Sequence, residues 1–253
     1  MRKIIDKVLF SLETILIFLF VGAFTTAVTK NIHSEILVEE FKSKGVLNEE
    51  KSSNYIKIYE IESEETIPTY TIYNNEISPG GPGDILLSLS SEIPVPFVKD
   101  LISFFAGGHA SIVLDDLEDE YILGDVNKVV ETTGLNPSEN VAVIASKVYW
   151  VDNSIYDEMI GLRVKLTEKE RKKVISKAVS LVGDPYNFSF IADTLNKSYC
   201  SDLVMKAYES IGIDLNKDGF TTSVYDLVVS KETYISYYHY FDNNGVKHIY
   251  YLV

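Results

Sequence analysis

The chain has 253 residues, 46% of them hydrophobic, and a formal net charge of −14. That leaves room for one good-sized domain plus a leader, with a globular share of apolar residues. So acidic a body lacks the basic footprint that a phosphate backbone demands, which argues against nucleic acid as a partner; the acidity itself serves solubility and says little about substrate.

The first thirty residues reverse the charge balance, with Arg2, Lys3, Lys7 and Lys30 against Asp6 and Glu13. Val8 to Val28 is almost wholly apolar, close to the length of about 20 residues that spans a bilayer. Its strongest part, Ile15 to Ala27, is shorter and like a signal-peptide core, with the small residues Thr25 and Ala27 at cleavage-like positions. Residues 1–30 are therefore expected to be a signal peptide or a membrane anchor. The basic flank stays in the cytoplasm, so the body is expected to be exported, either secreted or membrane-anchored. Glu13 inside the apolar stretch is a cost to either reading.

Residues 31–78 are expected to form a linker or accessory arm. Ile36, Leu37 and Phe41 give a weak helical face, and Tyr55-Ile56-Lys57-Ile58-Tyr59 alternates before an acidic cluster at Glu60, Glu62, Glu64 and Glu65. The main domain is expected over 79–253, opening on the turn cluster Pro79-Gly80-Gly81-Pro82-Gly83. Asp84 to Leu89 follows as a short apolar run suited to a buried strand. Phe97 to Phe105 reads as a loop with a short helix. Gly107-Gly108 then opens a strand at His109-Ala110-Ser111-Ile112-Val113-Leu114. Past an acidic turn from Asp115 to Glu120, Tyr121-Ile122-Leu123 and Val129 to Thr133 read as further strand, antiparallel to it.

Thr167-Glu168-Lys169-Glu170 is a capping box, and Val174, Ile175, Ala178, Val179 and Val182 repeat behind it at helical spacing up to a stop at Gly183. A second helix starts near Cys200, with Leu203, Val204, Ala207, Tyr208 and Ile211 as its apolar stripe. The tyrosine-rich end from Tyr234 to Val253, around Asp242-Asn243-Asn244-Gly245, reads as a hairpin.

Cys200 is the only cysteine, so no intramolecular disulfide can use it. A thiol attacks as thiolate, and a helix N-terminus and a neighbouring imidazole both favour that anion. The amides of Ser201 and Asp202 would point to the same spot and could stabilise an oxyanion. Position alone leaves a second reading open, in which Cys200 is the first small core residue of its stripe. Of the four histidines, His109 stands apart: two glycines precede it and a strand begins with it. A third group must accept from its other nitrogen, and Glu131, set in the apolar run Val129 to Thr133, is the first choice, with Asp125 the alternative. No metal site is expected, given one cysteine and no His-x-x-x-His; Asp214, Asn216, Asp218 and Gly219 match a calcium loop only in part, because Tyr225 stands where the closing glutamate belongs. No cofactor is expected.

Five short motifs occur in order: Gly83-Asp84-Ile85-Leu86, Gly108-His109-Ala110-Ser111-Ile112-Val113, Val130-Glu131, Gly183-Asp184-Pro185-Tyr186-Asn187 and Tyr199-Cys200-Ser201-Asp202-Leu203-Val204. Over about residues 79–230 this series resembles the circularly permuted papain-like cysteine hydrolases, the YaeF/YiiX group of the NlpC superfamily. The resemblance implies an α+β fold, permuted papain-like (NlpC-like), with a small antiparallel sheet packed against helices; the apolar run of residues 1–30 puts one hydrophobic helix in front of it. It implies Cys200 as nucleophile, His109 as base and Glu131 as orienting group, with Tyr199, Tyr186 and Ser201 at the substrate. The long acidic turn between His109 and Glu131 departs from the compact pattern and weakens the Glu131 match. The function expected is an exported cysteine amidase or peptidase acting on cell-wall peptides. Two other readings stand beside it: a lipid acyltransferase or thioesterase with the same site, for which Phe97 to Phe105 would border the lipid groove, and an inactive surface binding module using the tyrosine-rich hairpin.

Overall fold

The computed structural model describes residues 2–64, 77, 79–89, 108–114, 128–132, 141–146, 150, 156–188, 196–217 and 221–253. The expectations for Phe97 to Phe105, the acidic turn, Tyr121 to Leu123, Asp125 and Asp218 fall outside these residues. The chain begins with one helix, α1 (Arg2–Ser43), and continues through β1 (Val46–Leu47), β2 (Ile56–Ile61), β3 (Ile85–Ser88), β4 (His109–Val113), β5 (Lys128–Thr132), β6 (Ala142–Ser146) and β7 (Glu158–Val164). Three helices follow, α2 (Glu168–Ser180), α3 (Cys200–Glu209) and α4 (Val224–Val229), and the hairpin of β8 (Thr233–Phe241) and β9 (Lys247–Leu252) closes the fold.

The strands form one sheet in the order β1-β2-β9-β8-β7-β3-β4-β5-β6. It is larger than the small sheet expected, and one pairing, β2 with β9, is parallel. The difference comes from the residues read as a linker or arm. The alternation at Tyr55 to Tyr59 becomes β2, which runs beside the last strand from Ile56 opposite Lys247 to Ile61 opposite Leu252. Val38 and Phe41 of α1 are buried in the same core as Ile85, Ile112 and Leu203.

Two apolar layers flank the sheet. One holds Ile85, Leu87, Ala110, Ile112 and Val130 under α2 and α3; the other holds Leu86, Val113, Val129, Trp150, Tyr156 and Met159. Strand alternation sends neighbouring side chains to opposite faces, so β3, β4 and β5 supply both layers. The α2 capping box forms as expected: Thr167 Oγ1 accepts from the Glu170 amide at 3.3 Å, and Glu170 accepts from the Thr167 amide at 2.9 Å. Gly183, after the helix, takes φ +93°, a left-handed conformation that glycine adopts without a Cβ penalty. The hairpin turn is also as read, with Gly245 at φ +74° and Asp242 Oδ1 accepting from the amides of Asn244 and Val246.

A buried ion pair ties the start of the main domain together. Asp84 is fully buried, and Arg163 of β7 donates to both its oxygens at 2.6–3.1 Å. Arg171 of α2 adds a bond at 3.3 Å, and the Gly81 amide another at 2.8 Å. The Tyr208 hydroxyl of α3 donates to the Gly83 carbonyl at 2.5 Å. The turn cluster is thus fastened to β7, α2 and α3, which fixes how the cysteine helix lies on the sheet.

Candidate active site

His109 opens β4, and Cys200 opens α3, which packs on β4 and β5. The thiol is buried with the helix-covered layer, whereas the imidazole stacks in the opposite layer; the two meet at the end of the strand. Cys200 Sγ lies 3.9 Å from the Gly108 carbonyl, directly before the histidine.

Register places the acid. Ser111 pairs with Glu131 across β4 and β5, which puts Glu131 on the His109 face, one diagonal step away. His109 Nε2 is 3.3 Å from Glu131 Oε2. With Nε2 committed to the carboxylate, Nδ1 is the nitrogen left for the thiol, and Cys200 and Glu131 both act on the imidazole to favour its proton. The structure therefore brings Cys200, His109 and Glu131 together.

Trp150 joins them, and sequence reasoning missed it. Its indole Nε1 donates to the same Glu131 oxygen at 3.1 Å. Its ring lies parallel to the imidazole, with centroids 5.3 Å apart, and Tyr156 stacks on its other side at 4.7 Å. The one available signal was that Trp150 is the only tryptophan in the chain.

The electrostatics follow from these contacts. Burial disfavours the charged imidazole, but the hydrogen bonds to Cys200 and Glu131 and their charges outweigh it, so the His109 pKa stands well above its ordinary range. Burial likewise opposes the Glu131 carboxylate; His109 and Trp150 overcome it and hold that carboxyl below its usual value. The arrangement can keep a proton on His109 next to a sulfur, with a negative partner behind it.

The lead-in to Cys200 is held by its own ladder. Gly183 and Asp184 exchange backbone bonds of 2.9 Å with Ala142, and Pro185 bridges Val141. Asn187 and Pro185 bond Ser198 at 3.1 Å, so Tyr186 runs beside Ser198. Tyr186 is close enough to Cys200 and Tyr199 to feel their charges; its hydroxyl pKa is pushed up, by burial first and then by those neighbours. Phe188, a residue the sequence did not single out, packs on Tyr186 at 4.7 Å and is 56% exposed. Tyr199 is buried and bonded to Thr222. The Ser201 side chain is also turned inward, donating to the Thr222 carbonyl at 2.8 Å, so what Ser201 offers a ligand is its backbone amide. Unlike α2 and α4, α3 begins without a side-chain cap. Asn216 of the calcium-like stretch bonds Asp214 Oδ1 and Thr222 Oγ1, and among the described residues no three His, Cys, Asp or Glu side chains cluster as metal ligands.

Residues 81–231 match the permuted papain-like amidase enzymes, YaeF/YiiX, of the C92 family. The chain belongs to this family. A solved structure of the metalloprotein YiiX from Escherichia coli O157:H7 is similar at 16% identity, covering 62% of this chain and 96% of that one with a TM-score of 0.46. No curated protein matches. Membership makes a hydrolase of amidase type, and the permuted order is visible in the chain itself: the histidine strand precedes the cysteine helix.

Proposed function

We propose that this amidase-family chain is a cysteine hydrolase that cleaves amide bonds in exported peptide material, with cell-wall peptides as its substrate. The observation that carries the reading is His109, 3.3 Å from Glu131 at the head of its strand, with the Cys200 sulfur 3.9 Å from the Gly108 carbonyl directly before it. His109 accepts the thiol proton, and the sulfur attacks the amide carbonyl carbon. The oxyanion is met by first-turn amides of α3, where the helix dipole is positive. As the intermediate collapses, the C–N bond breaks and His109 delivers its proton to the leaving amine. Water then adds to the thioester, giving its proton to His109; the carboxylic acid leaves and the thiol is restored. Glu131 holds the ring orientation and balances the imidazolium charge, with Trp150 fixing the carboxylate. Tyr186, Tyr199 and Phe188 shape the approach.

The test is turnover of purified cell-wall peptides by the full chain beside Cys200→Ala. Loss of hydrolysis of at least about 10³-fold, with the fold intact by circular dichroism, is expected. Full activity in the variant would sink the mechanism, and covalent acylation of Cys200 by acyl esters alone would move the substrate class to lipids.

A further inference from the structure

The two halves of α1 sit in different surroundings although the helix is unbroken from Arg2 to Ser43. In the second half Ser34, Val38 and Phe41 are at most 7% exposed, packed toward α4 and β8. In the first half Phe10 is 70% exposed, Leu16 63% and Phe18 73%, and Leu12, Ile15, Ile17, Leu19, Val21 and Phe24 are exposed as well. Steps of about 100° per residue carry these positions around the whole circumference. A protein groove would cover one stripe; a helix apolar on every side needs an apolar medium on every side. Glu13 is the one charged residue between Phe10 and Thr29 and remains a cost, but three of the hydroxyls fit that medium. The hydroxyls of Thr14, Thr25 and Thr29 each donate to the carbonyl four residues back at 2.8 Å, which satisfies those three donors within the helix. The best window has a mean hydropathy of 1.9, and twenty residues from Phe10 to Thr29 span about 30 Å.

Where the apolar half ends, Lys30 forms an ion pair with Asp226 of α4, their side chains 17% and 4% exposed. The other oxygen of Asp226 accepts from the Ser223 amide at 2.8 Å and the Ser223 hydroxyl at 2.6 Å. Thr222, next in line, is the residue whose carbonyl accepts from Ser201 and which is also bonded to Tyr199, the two neighbours of the thiol. A continuous set of polar contacts thus runs from the apolar helix to the start of the cysteine helix. Cleavage after Ala27 would leave Lys30 as the third residue of the chain, at a fraying helix end.

We propose that α1 is retained as a membrane anchor docked rigidly on the hydrolase unit, its apolar half in the lipid bilayer, with Lys30–Asp226 the joint between the anchor and the loop that seats Cys200. Lys30 acts as a positioning residue, through Asp226 and Thr222. The catalytic unit then stands at a fixed height and tilt over the membrane, in place of swinging on a tether.

The full chain, tagged at its C-terminus and expressed in bacterial cells, tests the anchor. Its intact mass is expected to include residues 1–29 and to stay with membranes after alkaline carbonate washing. A chain beginning at Val28, or an intact chain washed free, would overturn the proposal; the latter is the outcome if a second copy covers the helix. The joint is read from the rate of Cys200 alkylation by iodoacetamide across pH, which does not depend on any substrate. Lys30→Met should change that rate by about threefold to thirtyfold, and Lys30→Arg should restore it. If Lys30→Met alone does not fold, Lys30→Met with Asp226→Asn leaves no uncompensated charge and serves the same comparison. A rate unaltered in the folded variant refutes the coupling.

Discussion

At the scale of single residues the site turns on one competition at His109. Burial works against the imidazolium, and the hydrogen bonds and charges of Cys200 and Glu131 win. Replacing Glu131 with Gln removes the charge but keeps the shape, so burial should dominate and the His109 pKa should fall. The working state of the proposed reaction pairs thiolate with imidazolium. Its alkaline limb in kcat/KM against pH should therefore move to lower pH, by about one to three units. An alkaline limb that stays in place would mean that some other group supports the ring. Trp150→Phe is a finer probe: it keeps an aromatic face on the imidazole and deletes the donor to Glu131. A hydrogen bond to a charged group is worth about 1.5–3 kcal/mol, so kcat/KM should fall by about tenfold to a hundredfold while stability changes little. Loss of stability without loss of rate would make Trp150 a packing residue only. His109 and Cys200 were legible because each begins an element, after paired glycines or at the head of an apolar stripe. Trp150 was not, because an indole that reaches a carboxylate 19 residues away leaves no trace in periodicity or spacing.

At the scale of elements, local chemistry was readable and long-range partnership was not. The capping box at Thr167 and the turn at Gly245 announce themselves within four residues. Strand β7 does not, since its burial on both faces makes Glu158 to Val164 a run without alternation, and Arg163 near its end carries no local sign of its partner. Arg163 is buried because Asp84, 79 residues earlier, receives it. Removing Asp84 as Ala should cost about 3–5 kcal/mol in urea unfolding, because it strands a buried guanidinium; a cost under about 1 kcal/mol would mean that water reaches Arg163. The hairpin hides a second titration. His239 of β8 is fully buried beside the Tyr237 hydroxyl. Burial, with the Lys247 charge behind it, holds its pKa well below the ordinary value. The folded chain keeps it neutral while the unfolded chain takes up a proton below about pH 6.5. Stability is thus kept above that pH and lost as pH falls, at up to about 1.4 kcal/mol per unit. His239→Gln should flatten the decline between pH 7 and 5, as denaturation midpoints at the two values will tell.

At the scale of the whole molecule, the residues before the turn cluster matter most, and they were the least legible. A charged amphipathic stretch with a short alternation carries no sign of which partner it will find, and β2 finds its partner about 190 residues away, at the C-terminus. Parallel pairing of the first long strand with the last extends the sheet and removes β9 from its edge. The consequence is a sharp difference between two truncations. Deleting residues 2–29 removes helix whose described side chains the hydrolase unit does not bury, so the remainder should stay monomeric in detergent-free buffer, with an unfolding midpoint near that of the full chain. Deleting residues 2–64 takes away Val38, Phe41, Ile58 and Ile61, all buried, at about 1.5–3 kcal/mol each. It also bares the β9 edge, a row of unpaired backbone groups on an apolar strand. Set against a total stability of about 5–15 kcal/mol, that loss is enough to unfold the domain, and the shorter chain should aggregate on expression. Light scattering and urea unfolding of the two truncated chains decide it. A stable, monomeric 65–253 fragment would mean that the first sixty-four residues lie on the fold without holding it together.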